Sequence, residues 1–500
     1  MASQRKLGAL LGYMNILIKN LVNLAYTPML LAFVGSADYG VYQSANSFVF
    51  ALSLLSFGFS GAYVKFYTSF EKNGTSDDIR RLNGMYLLVY AVVSLGAFVL
   101  GSGFALGAPA IFSDGFTQEQ SELARSLMTV MSATIAVTLF STVFDSYLLV
   151  HEEFKFQQSR QIATTLVTPI AAYVLLVAGF GAMGVAVAQL VVTVALLLLN
   201  VRFTLGKLHM RFDLGHFDKA LFRAIVVFSA WVFMNQVSDL VNQNVPNILL
   251  GARSGAVAVA VFAVSVQVRN VFVYMSSTMS SVFVPKINRI VAESDDNRVL
   301  TGLMTTVGRY QMMLFCWLYG GFVLLGRFFV SRWAGPEFMD AYWLICIMAL
   351  PLGIPLCQNT GIEIQKAKNR HRARSVVLMV MALLNVAFTW VAAPALGYWA
   401  PAIAYVVTIA VGNGAFMNWY YHFRIGLDMR IFWARVLRIV VVALAVVCIF
   451  SLMIAWMPVA SWLGFVFWGL LYTVCFGAAC WFLALDDGER GAIERQVPFI

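Results

Sequence analysis

Residues 255–285 read GAVAVAVFAVSVQVRNVFVYMSSTMSSVFVP, and Arg269 is the single charged residue in this run. About 20 mostly apolar residues are enough to cross the hydrocarbon core of a bilayer as a helix. Such runs recur along the 500-residue chain, which is 60% hydrophobic and 12% charged, whereas soluble domains are about 25% charged. The pattern predicts an all-α, polytopic membrane protein, because the strands of a membrane β-barrel are shorter and alternate in polarity.

The apolar runs predict about fourteen transmembrane helices. Residues 1–22 are interpreted as the start of the first span, not as a signal peptide, since polar residues interrupt the apolar region and no small-residue cleavage site follows. The predicted spans are 7–34, 39–69, 84–111, 122–150, 162–181, 183–205, 219–250, 255–285, 299–330, 337–363, 373–394, 399–423, 432–457 and 460–485.

Basic residues are unevenly distributed between the predicted loops. An even number of spans places both termini on one side, and we predict that this side is the cytoplasm. The external loops then carry Arg253, Arg327 and Arg332, whereas most of the 34 Lys and Arg residues lie in cytoplasmic segments. This asymmetry follows the positive-inside rule. The net charge of +10 therefore indicates contact with anionic lipid head groups of the bilayer and no nucleic acid partner.

An internal repeat predicts the organisation of the spans. YTPMLLAFVGSADYGVY (26–42) resembles NVPNILLGARSGAVAVAVF (244–262), with Gly35 parallel to Gly251. Six spans per repeat give two copies of the same orientation, related by an axis along the membrane normal. The predicted domains are two pseudo-symmetric six-helix lobes, residues 1–215 and 216–430, and two further helices in residues 431–500.

Polar residues at membrane depth concentrate in spans 1, 2, 7 and 8. In span 1, Asn15, Lys19 and Asn23 recur at every fourth residue, and this spacing places them on one helical face. The side-chain amides of span 7 could contact a ligand or form hydrogen bonds to neighbouring helices, and the sequence leaves both roles open. The candidate lining of a water-filled central cavity is Asn15, Lys19, Asn23, Gln43, Asn46, Asn235, Asp239, Asn242 and Arg269.

Arg269 is costly in the middle of a span, by about 2.5–3.5 kcal/mol on insertion scales. One interpretation is an ion pair with Asp239 on the neighbouring span. The other is an anionic ligand, because Lys19 faces the same interior and leaves two cations against one anion. A planar guanidinium group binds two phosphate oxygens at once, so Arg269 and Lys19 become candidates for binding a pyrophosphate. Lys65 and Arg309 lie nearer the cytoplasmic ends of spans, where we expect them to anchor at the interface.

Three stretches resemble the oligosaccharide flippases, which are polysaccharide biosynthesis proteins of the multidrug/oligosaccharidyl-lipid/polysaccharide (MOP) exporter superfamily. They are FVGSADYGVYQSANSFVFALSLLSFGFSGAYVKFY (33–67), GIEIQKAKNRHRARSV (361–376) and LNVAFTWVAAPALGYWAPAIAYVVTIAVGNGAFMNWYYHFRIGLDM (384–429). The six-plus-six-plus-two arrangement of spans is also similar to this superfamily. The resemblance implies a MATE-like transporter fold with a central cavity between the two lobes.

The resemblance also implies an activity. Such a protein flips a polyprenyl-pyrophosphate-linked oligosaccharide from the inner to the outer leaflet by alternating access, in the bacterial cytoplasmic (inner) membrane. It serves cell-surface polysaccharides such as O-antigen or exopolysaccharide, alongside polysaccharide polymerase and glycosyltransferase partners. We expect no cofactor. Coupling to H⁺ or Na⁺, for which Asp239 is the candidate residue, or to the membrane potential is left open.

Two other functions stay open. A cation-coupled multidrug exporter of the same superfamily would favour an acidic cavity, whereas this interior is predicted to be net basic. A membrane glycan polymerase or ligase would need a large external loop with reacting groups, and the sequence shows neither such a loop nor catalytic residues. We expect no metal site, since the six cysteines lie in apolar runs without ligand-type spacing: Cys316, Cys346, Cys357, Cys448, Cys475 and Cys480.

Overall fold

The protein is all-helical in the part of the chain that the structure describes. The structure is a computed structural model and describes residues 2–56, 58–215, 217–227, 229, 233, 237, 244–281, 284–368, 370 and 372–496. Every regular element among these residues is a helix, which confirms the predicted all-α class. The physical reason is that a segment in hydrocarbon must satisfy its own backbone N–H and C=O groups, and a helix does so within one segment.

The α-helices of the described chain are given in chain order, and short 3₁₀- or π-helical segments adjoin several of them. Those up to residue 253 are α1 Ala2–Ala51, α2 Phe59–Asn73, α3 Ser76–Leu106, α4 Ala108–Ile111, α5 Gln118–Val150, α6 Phe154–Val177, α7 Gly181–Gly206 and α8 Val245–Arg253. The next are α9 Ala256–Ser281, α10 Val284–Glu293, α11 Asn297–Trp333, α12 Met339–Ala349, α13 Gly353–Cys357 and α14 Asn359–Ala367. The last are α15 Arg372–Leu396, α16 Trp399–Thr408, α17 Asn418–Tyr420, α18 Met429–Trp456, α19 Trp462–Ala479 and α20 Asp487–Gln496.

Twelve segments of the described chain are long and apolar enough to cross a membrane. The first, residues 18–73, has 56 residues and covers predicted spans 1 and 2. A straight helix of this length would extend about 84 Å, far more than the roughly 30 Å of a hydrocarbon core. Thirteen of the 32 residues of predicted span 7, all between 228 and 243, lie outside the described residues. The twelve segments therefore agree with the predicted fold of about fourteen transmembrane helices.

Glycines with positive φ separate the first two helical segments of each repeat. Gly35 has φ 81° and ψ 166° and interrupts α1, while Gly255 has φ 94° between α8 and α9. Only glycine adopts such angles without steric cost. The sequence comparison pairs Gly35 with Gly251, but Gly251 lies inside α8. The turn glycine of the second repeat is therefore one helical turn further along.

Polar residues cap the starts of several apolar helices. Thr75 and Asp78 form a capping box at α3, and Thr117 and Gln120 form another at α5. The Asp428 side chain accepts from the backbone N–H groups that start α18. Each cap satisfies donors that have no partner within the helix and typically stabilises it by about 1 kcal/mol. With these caps the helices begin in polar sequence ahead of the apolar runs, as at Ser76 for the span predicted at 84–111.

The chain divides into two compact units. The first comprises Met1–Ala263 and Thr389–Tyr398, and the second comprises Val264–Phe388 and Trp399–Ile500. In the first unit α3 packs along α5, and in the second α11 packs along α18. The predicted lobe boundaries at residues 215 and 430 follow the sequence repeat and stay a prediction.

Arg309 differs from its predicted role as an interfacial anchor. Only 1% of the surface of Arg309 is exposed to solvent. Its guanidinium group donates to both carboxylate oxygens of Glu489, at 2.7 and 2.9 Å. It also donates to the carbonyls of Arg435 and Ala484 at 2.7 and 2.6 Å. The anchor prediction is wrong because α20 covers this arginine. Lys65, by contrast, is exposed.

Candidate functional site

The predicted cavity residues fall into three groups. Asn15, Lys19, Asn23, Gln43 and Asn46 belong to the first unit, and Arg269 belongs to the second. The span 7 residues Asn235, Asp239 and Asn242 lie outside the described residues. The predicted ion pair of Arg269 with Asp239, and the coupling role of Asp239, therefore stay predictions.

Arg269 is buried in the second unit and lies against an aromatic ring. Its surface is 5% exposed, and its Cζ lies 4.4 Å from the ring centroid of Tyr405 on α16. Its Nη2 donates to the Oδ1 of Asn270 at 3.0 Å. Its Nε–H has no hydrogen-bond partner within the described chain. The guanidinium group of Arg269 is therefore shielded from water and still has an N–H group that can donate a hydrogen bond.

The contact with Tyr405 explains part of how the helix accepts this arginine. A cation over an aromatic face contributes about 2 kcal/mol or more when it is desolvated. The ring positions the guanidinium group but does not neutralise its charge. A buried charge is stable when it is paired or hydrogen-bonded. The arrangement therefore suits an anion with more than one acceptor oxygen.

The polar face of α1 in the first unit contains an amide contact. The Nδ2 of Asn15 donates to the Oε1 of Gln161 at 2.7 Å and to the Oε1 of Gln158 at 3.3 Å. Lys19 and Asn23 follow on the same helix, and both are exposed. The structure therefore places an exposed ammonium group one helical turn from a group of three amides.

The polar residues beyond Gly35 are more enclosed. The Nε2 of Gln43 donates to the hydroxyl oxygen of Tyr39 at 2.8 Å, and Tyr39 is buried. Asn46 is half-buried. Gln43 is thus held by a neighbour one turn away on its own helix.

The second half of α1 packs closely on α8 and the start of α9. The Nδ2 of Asn247 donates to the Oγ of Ser47 at 2.9 Å. A Cβ atom at Gly40 would lie 1.8 Å from the carbonyl oxygen of Ala256, so only glycine allows this approach. These contacts lie within the first unit but join residues of the two predicted lobes.

A charged contact lies in the loops predicted to be external. Arg253 at the end of α8 donates to the carboxylate of Asp114 at 3.0 Å. Its Cζ also lies 4.9 Å from the ring centroid of Trp390. Arg253 and Asp114 are thus a second pair of contacting residues that come from different predicted lobes but lie in the same compact unit.

The sequence profile of the polysaccharide biosynthesis protein family matches residues 8–291, more than half of the chain. The chain belongs to this family. No protein of curated function matches the sequence. The predicted resemblance to polysaccharide biosynthesis proteins is thereby confirmed.

Two solved structures show the same fold as this polysaccharide biosynthesis protein. The lipid II flippase MurJ, in an inward closed conformation, matches with a TM-score of 0.73 and 13% identity over 94% of this chain and 98% of that chain. An inward-facing multidrug resistance MATE family transporter of the MOP superfamily matches with a TM-score of 0.59 and 16% identity over 82% of this chain and 94% of that chain. The protein is thus a multi-pass membrane protein with a transporter fold.

This family member has a polar network in a stretch that the sequence alone does not predict to be helical. The predicted spans leave residues 151–161 as a cytoplasmic loop, but α6 begins at Phe154. Arg160 donates to Asp145 on α5 at 2.7 Å, and also bonds to the side chain of Asn200 on α7. The Nδ2 of Asn200 donates to the same Asp145 oxygen at 3.1 Å. In FQQSRQ (156–161), Gln158 and Gln161 are three residues apart, a spacing that places them on one face of a helix. This spacing is the signal that could have extended the predicted helix.

The described residues contain no group of three His, Cys, Asp or Glu side chains that could hold a metal ion. The six cysteines are free thiols. Among the described candidate residues, the buried polar atoms without a hydrogen-bond partner are the Oδ1 of Asn15 and the Nε of Arg269, and both can bind a ligand through hydrogen bonds.

Proposed function

We propose that the protein flips a polyprenyl-pyrophosphate-linked oligosaccharide from the inner to the outer leaflet by alternating access. The observation that carries the proposal is Arg269, a buried arginine held over Tyr405 with an N–H group that lacks a partner among the described residues. A pyrophosphate supplies the negative charge and several acceptor oxygens that such a group requires. Membership of the polysaccharide biosynthesis protein family supports the same substrate class.

The substrate explains why a membrane protein would keep polar groups in its spans. Burying an unpaired charge or hydroxyl group in hydrocarbon costs several kcal/mol for each group. The proposed cavity offers cations to the phosphates and amides to the sugars, while the polyprenyl chain stays in lipid. Alternating access would break and remake contacts such as Asn247–Ser47 and Arg253–Asp114, which join residues of the two predicted lobes.

The remaining parts of the proposal concern setting and coupling. The protein would act in the bacterial cytoplasmic membrane, with both termini in the cytoplasm, on cell-surface polysaccharides such as O-antigen or exopolysaccharide. Glycosyltransferases would assemble the substrate before transport, and a polysaccharide polymerase would act on it afterwards. Net positive charge in the cavity would couple transport to the membrane potential, at about 2.3 kcal/mol per charge for each 100 mV. Coupling to H⁺ or Na⁺ through Asp239 is the alternative.

The second candidate function is a cation-coupled multidrug exporter, which the MATE-like fold allows. A cationic drug would need an anionic site, whereas the described candidate residues carry amides and the cations Lys19 and Arg269. We therefore favour the anionic substrate. The same residues include no nucleophile or acid–base pair in the described chain, so a transporter is favoured over a glycan polymerase or ligase.

A competition experiment distinguishes the two transport functions. Purified protein in lipid nanodiscs is titrated with a fluorescent polyprenyl-pyrophosphate oligosaccharide, and the bound probe is then displaced. We expect saturable binding that unlabelled polyprenyl pyrophosphate displaces and that the cationic dye ethidium does not. Binding of ethidium without binding of the lipid-linked probe would instead support the drug exporter.

A further inference from the structure

Two glutamines in the first turns of α6 lie against the polar face of α1. The Oε1 atoms of Gln158 and Gln161 both accept from the Nδ2 of Asn15, at 3.3 and 2.7 Å. We call these three residues the amide cluster. Gln161 is exposed, and Asn15 and Gln158 are half-buried. The cluster is therefore open on one side, as a binding subsite must be.

The opposite face of α6 is fixed by charge. Arg160 is 10% exposed at its side chain and pairs with Asp145 of α5 at 2.7 Å, while Asn200 of α7 donates to the same carboxylate. Breaking such a pair inside a membrane protein is costly. The ion pair sets the rotation of α6 about its axis. Gln158 and Gln161 consequently face α1, and they do so on a rigid helix, which is what a specific site requires.

The amide cluster is not satisfied by its internal bonds. The Oδ1 of Asn15 has no hydrogen-bond partner within the described residues. Each glutamine amide group also carries two N–H donors. Sugar hydroxyl and acetamido groups both donate and accept hydrogen bonds, so they complement an amide group better than a phosphate, which only accepts.

The amide cluster lies close along α1 to a positively charged side chain, Lys19. Lys19 lies four residues beyond Asn15 on the same helix and is exposed. Four residues correspond to a rise of about 6 Å along a helix. In a lipid-linked oligosaccharide the first sugar is bonded directly to the pyrophosphate, so cation and sugar sites must be neighbours. The spacing on α1 meets this requirement.

We propose that Asn15, Gln158 and Gln161 form a subsite for the sugar that adjoins the pyrophosphate. The inference rests on the proposed function, because it assigns the glycan part of the same substrate. The first unit would thus hold the sugar at the amide cluster, with the ammonium group of Lys19 close to the adjoining phosphate. Specificity for the glycan would then reside partly in α6.

Two probes test the subsite: polyprenyl pyrophosphate without sugar, and the same lipid with its oligosaccharide. The double variant Gln158→Ala, Gln161→Ala is compared with Gln157→Ala, which removes an amide one position away; the Nδ2 of Asn15 donates to Gln158 and Gln161 instead. Losing two hydrogen bonds to the sugar predicts at least tenfold weaker binding of the oligosaccharide probe. We expect binding of the sugar-free lipid to change by less than about twofold, and Gln157→Ala to change neither.

The outcomes separate this inference from the proposed function. Equal losses for both probes would show that the amides support the fold of the site, and unchanged binding of both would show that no sugar contacts them. Either result overturns the subsite while leaving the flippase proposal intact. A wild-type protein that binds neither probe overturns the proposed function as well.

Discussion

Replacing Arg269 with glutamine is expected to weaken binding of a polyprenyl-pyrophosphate oligosaccharide by at least tenfold, about 1.4 kcal/mol. The substitution keeps a polar side chain of similar reach but removes the charge and the planar fork that grips two phosphate oxygens. Arg269→Lys should recover part of the loss, because it restores the charge without the fork. Titration of each variant with the fluorescent lipid in nanodiscs measures the effect.

Arg327 provides the matched control for this prediction. It lies in the same unit, and its Cζ is 5.4 Å from the ring centroid of Trp343, but it is exposed and lies near the end of α11. Arg327→Gln should leave binding unchanged within about twofold. If Arg269→Gln bound the lipid as tightly as this control, the arginine would be a structural group, and the ion pair with Asp239 would become the better account.

Glu489→Ala is expected to reduce the free energy of unfolding by about 3 kcal/mol, the lower end of the usual cost of leaving a buried charge without its partner, because Asp486 stays 3.8 Å from Arg309. Glu489 is 11% exposed at its side chain and accepts two hydrogen bonds from Arg309, which is almost fully buried. Its loss should release α20 and lower the thermal unfolding temperature. Thermal unfolding in detergent, followed by intrinsic fluorescence, measures the change.

Two further variants test the cause of that loss. Asp487→Asn alters a fully exposed carboxylate 3.3 Å from Arg490, and a surface pair of this kind contributes only about 0–1 kcal/mol. The double replacement Arg309→Met, Glu489→Leu removes both charges and should be less destabilising than Glu489→Ala alone. A Glu489→Ala protein as stable as Asp487→Asn would contradict the view that this pair holds α20 in place.

The fold could be predicted because apolar length and helix formation are directly linked in a membrane. The ends of the helices were harder to predict. Arg160 and Gln161 resemble a cytoplasmic loop in composition, yet they lie inside α6, where Arg160 bonds to Asp145 and Asn200 and Gln161 accepts from Asn15. Polar residues mark the end of a span only when water is their partner. The sequence does not show when another helix takes that place.

The roles of single charges depended on partners far away in sequence. Arg309 was expected at the interface from its depth alone, but Glu489 lies 180 residues away in a polar segment that gave no sign of packing. For Arg269 the sequence indicated a buried cation, and the structure adds Tyr405. An aromatic residue in an apolar span resembles any other core residue until the opposing helix is known.

The measurement that tests the central claim most directly is flipping in proteoliposomes. A fluorescent polyprenyl-pyrophosphate oligosaccharide is placed in both leaflets, and a membrane-impermeant reagent quenches the probe in the outer leaflet. The account predicts that vesicles with the wild-type protein lose nearly all fluorescence as inner-leaflet probe is carried outward, and that Arg269→Gln slows this loss at least tenfold. Fluorescence that levels off at about half of its starting value, as in protein-free vesicles, would contradict the account.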